Sequence, residues 1–339
     1  MPQVVGREVG STGYGLMGED PGLTWSPQPP SEETSFKAMK AALSKGANFW
    51  NGGEFYGPPT HNSLHLLNSY FTKYPEDADK VVLCIKGGLK PGEMALDGGE
   101  ANVRRSIDEC LRVLDGKKTL DIFECARVDP ETPVEITVKA IAACIKEGKV
   151  KGVGLSECSA NTIRRAAKVH EIAAVEVEFS LWATEVLDNG IAKACADNEI
   201  PMVAYSPLGR GFLTGQIKSP ADLPEGDFRK YLPRFQPDVF DENLKLVKEL
   251  EKLASKKGCT PGQIAIAWVK AQSGKNGMPV IIPIPGASAE ERVLENMVDV
   301  ELSEGDMAEI DKILKNATVI GGRYPEAHAH VLNGDSKEL

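Results

Sequence analysis

The sequence predicts an α/β protein in which strands and helices alternate along the chain, with the (β/α)8 TIM barrel as the fold. Three observations support this prediction. Eight short apolar runs of strand length are separated by segments with helical periodicity. Several of these runs are continuous rather than alternating, which is typical of parallel strands covered by helices. The chain of 339 residues fits one barrel of ~250 residues with insertions, so residues 1–339 are predicted to form a single domain.

The predicted strands are rich in β-branched and other apolar residues. A short strand element is expected to precede the first barrel strand. The barrel strands are predicted at residues 14–17, 47–50, 81–85, 120–125, 150–155, 174–179, 201–205 and 280–284.

The helices between them are indicated by caps and by apolar spacing. Ser31 is a candidate N-cap, Glu32 and Glu33 follow in the first turn, and Gly46 ends the segment. Similar signals predict helices at residues 36–43, 102–114, 136–145, 159–168, 186–196, 244–256 and 261–270.

A doubly wound sheet is the alternative fold. Gly13, Gly15 and Gly18 match the letters of a dinucleotide-binding fingerprint. That motif requires a preceding strand and a following helix, and residues 19–22 do not form a helical pattern. The glycines are therefore interpreted as part of a tight first strand and its loop.

Two segments stand apart from the alternation. Residues 209–241 contain four prolines and follow the seventh predicted strand, where barrel enzymes commonly bind phosphate. Connections this long are usually functional, so this segment is predicted to cover a cofactor or substrate. The C-terminal tail, residues 321–339, is polar and either covers the barrel mouth or is mobile.

Composition excludes several classes of function. The net charge of −10 argues against nucleic acid or an anionic membrane as the main partner. No apolar stretch is long enough to span a bilayer, and the seven cysteines include no C-x-x-C pair, which favours reduced thiols. A cytoplasmic location is expected, with the nucleus as an alternative. No metal site is predicted, and the oligomeric state is left open.

Two residues that follow neighbouring strands suggest acid catalysis. Tyr56 follows the second predicted strand and Lys86 the third, and active sites of barrels lie at these strand ends. A nearby ammonium lowers the pKa of a tyrosine, so that its phenol can protonate an alkoxide formed from a carbonyl. The alternative is a core tyrosine beside a surface lysine.

Motifs in this order resemble the aldo-keto reductase family over nearly the whole chain. The family resemblance implies a TIM barrel that reduces carbonyl compounds with a nicotinamide cofactor. The matching segments are residues 54–57, 86–88, 154–157, 177–181, 204–215 and 284–288, with Arg292 and Asn296 after the last.

The resemblance also implies a catalytic tetrad of Asp, Tyr, Lys and His, which this chain matches in part. Tyr56 and Lys86 occupy two positions, whereas Asn51 stands at the Asp position and Ala126 at the His position. Asn51 can hydrogen-bond Lys86 but cannot form an ion pair with it. The same two replacements occur in the fungal pyridoxal reductase branch, which residues 50–57, 125–130, 175–178 and 231–240 also resemble.

This branch implies NADPH-dependent reduction of pyridoxal to pyridoxine, with a small-molecule aldehyde as the partner. A reductase of broad specificity and a cofactor-binding regulatory subunit are the alternatives. The ring hydroxyl next to the aldehyde of pyridoxal is hypothesised to lessen the need for the missing histidine.

The remaining roles are implied by position in the family pattern. Tyr205 is expected beneath the nicotinamide, and Ser156 and Glu176 at its carboxamide, although the family more often has Gln at the latter position. Arg292 and Ser288 are expected at the 2′-phosphate, which favours NADP over NAD. The expected pyrophosphate and adenine contacts are Ser206, Leu208, Arg210, Gly211, Glu295 and Asn296.

Aromatic residues near strand ends are candidates for substrate contact, because aromatic rings can stack on a pyridine ring. The alternative for each of them is core packing. The candidates are Trp25, Trp50, Phe55 and Trp182. Arg127 and Asp129 are expected to form a structural pair near the site, without a catalytic role.

Overall fold

The computed structural model describes residues 1–17 and 29–339 and confirms the predicted (β/α)8 barrel. Its eight strands are parallel and follow one another in chain order around the sheet. The last strand meets the first through a parallel bridge between Gly15 and Gly286, and the amide of Gly13 donates to Pro283 O at 2.9 Å. The barrel is thereby nearly closed.

The barrel strands lie within one to three residues of their predicted positions. They are β3 Tyr14–Gly15, β4 Phe49–Gly53, β5 Val82–Gly87, β6 Leu120–Cys125, β7 Val150–Ser156, β8 Ile172–Glu178, β9 Met202–Tyr205 and β10 Ile281–Pro283.

An N-terminal hairpin covers one end of the barrel. Strands β1 (Gln3–Val4) and β2 (Arg7–Glu8) pair antiparallel. Val4 and the following Val9 are buried against side chains of the barrel interior, such as Phe49. Because strand starts such as Val82 belong to the same cluster, the hairpin closes the N-terminal end and leaves the opposite end open.

The helices pack around the sheet. Their bounds are α1 Glu32–Ser44, α2 Ser63–Lys73, α3 Glu100–Leu114, α4 Val134–Lys146, α5 Ala160–Ala167, α6 Ile191–Asp197, α7 Pro237–Lys257, α8 Pro261–Ala271, α9 Glu290–Asn296, α10 Glu304–Asn316 and α11 Glu326–Ala329. Within the described residues, no helix is both long and apolar enough to cross a membrane.

The helices differ from the prediction in several places, among them the start of α7, predicted at residue 244 and observed at Pro237. The single helix predicted at 186–196 is interrupted, because Gly190 adopts a left-handed φ of 83° between a 3-10 turn at Glu185–Leu187 and α6. Helices α2, α9, α10 and α11 were not predicted. The start of α2 is fixed by a capping box in which Asn62 and His65 satisfy each other's backbone amides.

The segment at 209–241 is a long connection that contains several short helical turns. It contains 3-10 turns at Phe212–Thr214, Pro220–Asp222, Phe228–Tyr231 and Pro233–Phe235. Helix α7 begins at Pro237, so the predicted segment extends into its first turns. Proline suits this first helical position because its missing N–H would be unpaired there.

The C-terminal tail docks against the open end of the barrel. The Arg323 guanidinium contacts both carboxylate oxygens of Glu157, at 2.9 and 3.0 Å. The amide of Gly334 donates to Glu157 O at 2.8 Å, and Ser336 Oγ accepts from the amide of Val134 at 2.9 Å. These contacts tie the tail to strand ends that surround the functional cleft.

Gly154 in β7 gives a test of the packing inside the barrel. A Cβ at this position would lie 2.9 Å from both Ile122 Cγ2 and Glu124 Cβ. Because both neighbours belong to strand β6, we expect Gly154→Ala to lower the free energy of unfolding by about 1–3 kcal/mol. Chemical denaturation measures this difference.

The control is Gly305→Ala in α10, where the nearest atom, Ser303 Oγ, lies 3.7 Å from the added Cβ. Alanine is favoured over glycine in helices by ~1 kcal/mol, so this variant should be neutral or slightly more stable. Equal stability of the two variants would show that β7 relaxes around the extra methyl group.

Candidate active site

A single large cleft lies at the C-terminal ends of the barrel strands, among the described residues. Its volume is about 2810 Å³, several times that of a pocket for one small ligand, roughly 300–1,000 Å³. The lining includes Asn51, Tyr56 and Lys86 on one side and Ser288 and Arg292 on the other. The cleft therefore has room for an extended ligand together with a small substrate.

Tyr56 is held at the edge of this cleft by the turn after β4. Its side chain is buried, and Phe55 packs edge-on against it at 5.0 Å between ring centroids. Glu54 fixes the turn through Arg105 Nη1 and Ser106 Oγ, both 2.5 Å from its carboxylate. Burial raises the pKa of Tyr56, while the charges of Lys86 and Arg127 oppose that rise. The phenol is therefore protonated at neutral pH.

Lys86 lies in a buried cluster with two glutamates and Asn51. The register of the sheet places Lys86 beside Glu124 of β6, and the Lys86 Nζ–Glu124 Oε1 distance is 3.1 Å. Lys86 also forms an ion pair with Glu176 of β8 and donates to Asn51 Oδ1 at 3.2 Å. Asn51 Nδ2 in turn donates to Glu176 Oε2 at 2.6 Å. Asn51 thus makes the predicted hydrogen bond, and glutamates supply the carboxylates.

These charges control one another's protonation. Burial alone would lower the pKa of the Lys86 ammonium, but Glu176, Tyr56 and Glu124 outweigh it and hold that pKa well above its usual value. Burial raises the pKa of Glu176 to about 8, with Glu124 adding to the rise and Lys86 opposing it. The cluster therefore keeps a positive charge beside Tyr56 at neutral pH.

Glu124 was not recognised from the sequence as a site residue. Its signal was present, because a glutamate in the middle of the apolar strand β6 needs a buried partner. Glu176 was expected at the cofactor carboxamide. In the structure both of its carboxylate oxygens are engaged, one with Lys86 and the other with Asn51.

A possible metal cluster coincides with this site. Cys84, Glu124 and Glu176 bring candidate ligand atoms within 4.8 Å of one another. The ammonium of Lys86 already contacts both carboxylates. The lysine side chain therefore supplies the positive charge that a metal ion would bring.

Arg127 occupies the part of the cleft next to Ala126. Its Nη1 donates to Ala126 O at 2.6 Å, and its guanidinium carbon lies 5.9 Å from the ring centre of Tyr324. The predicted pair with Asp129 does not form. Asp129 instead accepts hydrogen bonds from the amides of Gly98 and Glu131 and from a threonine hydroxyl, because it caps the turn before α4.

The expected cofactor residues, except Ser156, line one continuous groove of the cleft. A sharply turned loop follows β9, with left-handed φ angles of 49° at Ser206 and 57° at Arg210. Ser156 Oγ is buried without a hydrogen-bond partner. The groove residues are Glu176, Tyr205, Ser206, Leu208, Arg210, Gly211, Ser288, Arg292, Glu295 and Asn296.

Chemistry at the ends of this groove fits a phosphorylated dinucleotide. Arg292, with a side chain about half exposed at 48%, contacts Glu295 at 3.5 Å and also Gln216 across the groove. Backbone turned through left-handed residues is a common anion-binding arrangement, and a guanidinium pairs well with phosphate. The unpartnered Ser156 hydroxyl is suited to an amide group.

Two of the aromatic candidates are core residues. Trp50 is fully buried, donates from Nε1 to Ala47 O at 2.8 Å and packs on Phe71 outside the barrel. Trp182 stacks on Phe212 at 4.1 Å between ring centroids. The described lining of the cleft includes neither of them, so the prediction of substrate contacts was wrong for both.

The other two candidates for substrate contact are Phe55 and Trp25. Phe55 lines the cleft next to Tyr56, as expected for a substrate contact. Trp25 lies outside the described residues.

Comparison with known proteins agrees with this geometry. The family model described as Aldo/keto reductase family matches residues 13–315. "Probable pyridoxal reductase 2" of Schizosaccharomyces pombe is 42% identical over 334 residues, covering 96% of this chain and 97% of the relative. "Putative pyridoxal reductase" of Saccharomyces cerevisiae is 37% identical over 341 residues, covering 93% and 96%.

A solved structure supports the fold. The glycerol dehydrogenase from Gluconobacter oxydans superposes with a TM-score of 0.79 at 22% identity, covering 94% of this chain and 96% of that one. The resemblance predicted from the strand-end motifs is confirmed.

Proposed function

The chain belongs to the aldo/keto reductase family, and from this premise we propose that it reduces pyridoxal to pyridoxine with NADPH. The observation that supports the chemistry is the Tyr56–Lys86 pair at the cleft, with Glu124 and Glu176 as counterions. The observation that supports the substrate is the similarity to relatives named as pyridoxal reductases.

In the proposed reaction, the nicotinamide supplies a hydride to the aldehyde carbon when it is bound. Tyr56 donates its phenolic proton to the carbonyl oxygen as the C–H bond forms. Lys86 stabilises the phenolate that remains, because its ammonium opposes the effect of burial on Tyr56. Asn51 and the two glutamates hold the ammonium in place. A proton from solvent then restores the phenol.

For the cofactor, the groove offers one set of contacts to each part of NADPH. Tyr205 would lie beneath the nicotinamide, Ser156 at its carboxamide, and the backbone of Ser206, Leu208, Arg210 and Gly211 along the pyrophosphate. Glu176 is expected to orient Lys86 in addition to any contact with the carboxamide of the nicotinamide. Ser288 and Arg292 would contact the 2′-phosphate, and Glu295 and Asn296 the adenine.

The function is tested by incubating the purified protein with NADPH and pyridoxal and measuring both NADPH loss and pyridoxine formation. One pyridoxine per NADPH is the expected result. Plain aromatic and aliphatic aldehydes are assayed in parallel; equal turnover of all of them would indicate a broad-specificity reductase. Tight NADPH binding without turnover of any aldehyde would favour the regulatory subunit and contradict the proposal.

The preference for NADPH gives a separate prediction. Arg292→Leu should raise the KM for NADPH roughly 10- to 100-fold, because a charge-assisted hydrogen bond to phosphate is lost. The KM for NADH, which has no 2′-phosphate, should stay the same. Arg164→Leu, on the exposed face of α5, is the control and should change neither KM. Equal losses for both cofactors would place Arg292 away from the 2′-phosphate.

A further inference from the structure

Arg127 carries a positive charge in the cleft that no neighbouring carboxylate neutralises by direct contact. Its hydrogen bonds are to uncharged oxygens, Ala126 O at 2.6 Å and Tyr324 Oη at 3.5 Å. Within residues 1–17 and 29–339, no carboxylate oxygen lies within 4.0 Å of its guanidinium.

Glu157, a carboxylate whose charge acts on Arg127, is already engaged by other donors. It accepts two hydrogen bonds from Arg323, one from Tyr205 Oη at 2.8 Å and one from the amide of Glu178 at 3.0 Å. Glu178 in turn pairs with Arg210 at 3.2 Å. These contacts leave neither carboxylate available to Arg127.

Tyr324 of the C-terminal tail lies close to two cations. The guanidinium carbon of Arg210 is 4.6 Å from the Tyr324 ring centre, and that of Arg127 is 5.9 Å from it. The tail thus contributes a ring to the wall of the cleft beside Arg127. A partly buried cation without a counterion lowers stability, so this arrangement is suited to an anionic ligand.

The position of Arg127 relates that anion to the reacting aldehyde. Arg127 and Tyr56 line the same cleft, and the charge of Arg127 acts on the Tyr56 phenol. A substrate whose anionic group lies near its carbonyl can meet Arg127 with that group and Tyr56 with its carbonyl oxygen. A ring oxygen on the carbon next to the aldehyde-bearing carbon satisfies this requirement.

Resting on the proposed function, we propose that Arg127 is a specificity-determining residue that binds the phenolate oxygen of aryl aldehydes carrying a hydroxyl group ortho to the carbonyl. A guanidinium forms charge-assisted hydrogen bonds with such an oxygen. Pairing also withdraws electron density that the phenolate would otherwise donate into the carbonyl, so the carbon stays receptive to hydride. Anchoring the ortho oxygen on Arg127 also orients the aldehyde, a task that the alanine at position 126 cannot perform.

The test compares 2-hydroxybenzaldehyde with 2-methoxybenzaldehyde, and pyridoxal with pyridine-4-carbaldehyde, for the wild type, Arg127→Met and Arg127→Lys. For Arg127→Met we expect kcat/KM to fall roughly 10- to 100-fold with the two hydroxylated aldehydes, and to change little with the other two. Arg127→Lys should recover part of the loss. Arg112→Met, which removes an exposed arginine at the rim of the cleft, is the control and should behave as wild type.

A binding measurement separates this inference from the proposed function. The protein loaded with NADP⁺ is titrated with 2-hydroxybenzaldehyde, and the absorption band of the phenolate is followed. The wild type should enhance this band and Arg127→Met should not, whether or not turnover occurs. Absence of pyridoxal turnover with the band present would contradict the proposed function alone. Equal losses with all four aldehydes, or a band unaffected by Arg127→Met, would overturn the role of Arg127.

Discussion

Replacement of Tyr56 by phenylalanine should lower kcat for aldehyde reduction roughly 10²- to 10⁴-fold, the range for loss of a positioned general acid. In the proposed mechanism the phenol donates the proton, and phenylalanine fills the same buried space without a proton to give. Lys86 cannot replace it, because its charge is held by Glu124 and Glu176. NADPH affinity should not change. Steady-state assays and fluorescence titration with NADPH provide the two measurements.

The matched control for this variant is Tyr231→Phe, which removes the hydroxyl of a tyrosine that is 72% exposed. It should keep wild-type turnover. Turnover by Tyr56→Phe at the wild-type rate would mean that another group donates the proton, and loss of NADPH binding would mean that Tyr56 supports the groove rather than the reaction.

Replacement of Lys86 by methionine should abolish most activity and lower the free energy of unfolding by about 3–5 kcal/mol. Removing one partner of a buried ion pair leaves an uncompensated charge behind, and here two glutamates and Asn51 lose their shared donor. Denaturant unfolding at neutral pH measures the stability, and NADPH oxidation measures the activity.

The double variant Lys86→Met/Glu176→Gln serves as the control. It removes one of the two carboxylates that the first substitution leaves unpaired, so it should regain part of the stability but none of the activity. If both variants were as stable as the wild type, the ion pairs of Lys86 would not contribute to folding.

The pH dependence of this stability has a definite sign. The pKa of Lys86 is raised above its unfolded value of about 10.5. Its contribution is therefore complete below that pH and is lost as pH rises through the higher folded value. The stability difference between wild type and Lys86→Met should shrink in strongly alkaline solution.

The barrel and the proximity of Tyr56 and Lys86 could be predicted from the sequence because each depends on local signals. Continuous apolar runs mark the strands, and the residues that follow parallel strands meet at one end of a barrel. This reasoning brought Tyr56 and Lys86 together correctly. The same reasoning corrects the prediction that Trp50 contacts the substrate. Neighbouring residues of a strand point to opposite faces, so the position of Asn51 inside the barrel implies that Trp50 faces the helices.

The carboxylates of the site could not be assigned in the same way. Glu124 and Glu176 reach Lys86 from two different strands, and Gly154 of the intervening β7 leaves space beside Glu124. That arrangement depends on register and on the absence of one side chain, neither of which a motif records. The docking of Arg323 on Glu157 was equally hidden, because the tail has no periodic pattern.

A single-turnover experiment tests the central claim most directly, namely that this altered site still performs reduction. Protein holding one equivalent of NADPH is mixed rapidly with excess pyridoxal, and absorbance at the reduced-nicotinamide band is followed. We predict complete loss of that band in one phase, with one equivalent of pyridoxine formed, and at least a 100-fold slower phase for Tyr56→Phe. Persistence of bound, unoxidised NADPH in the wild-type protein would contradict this account.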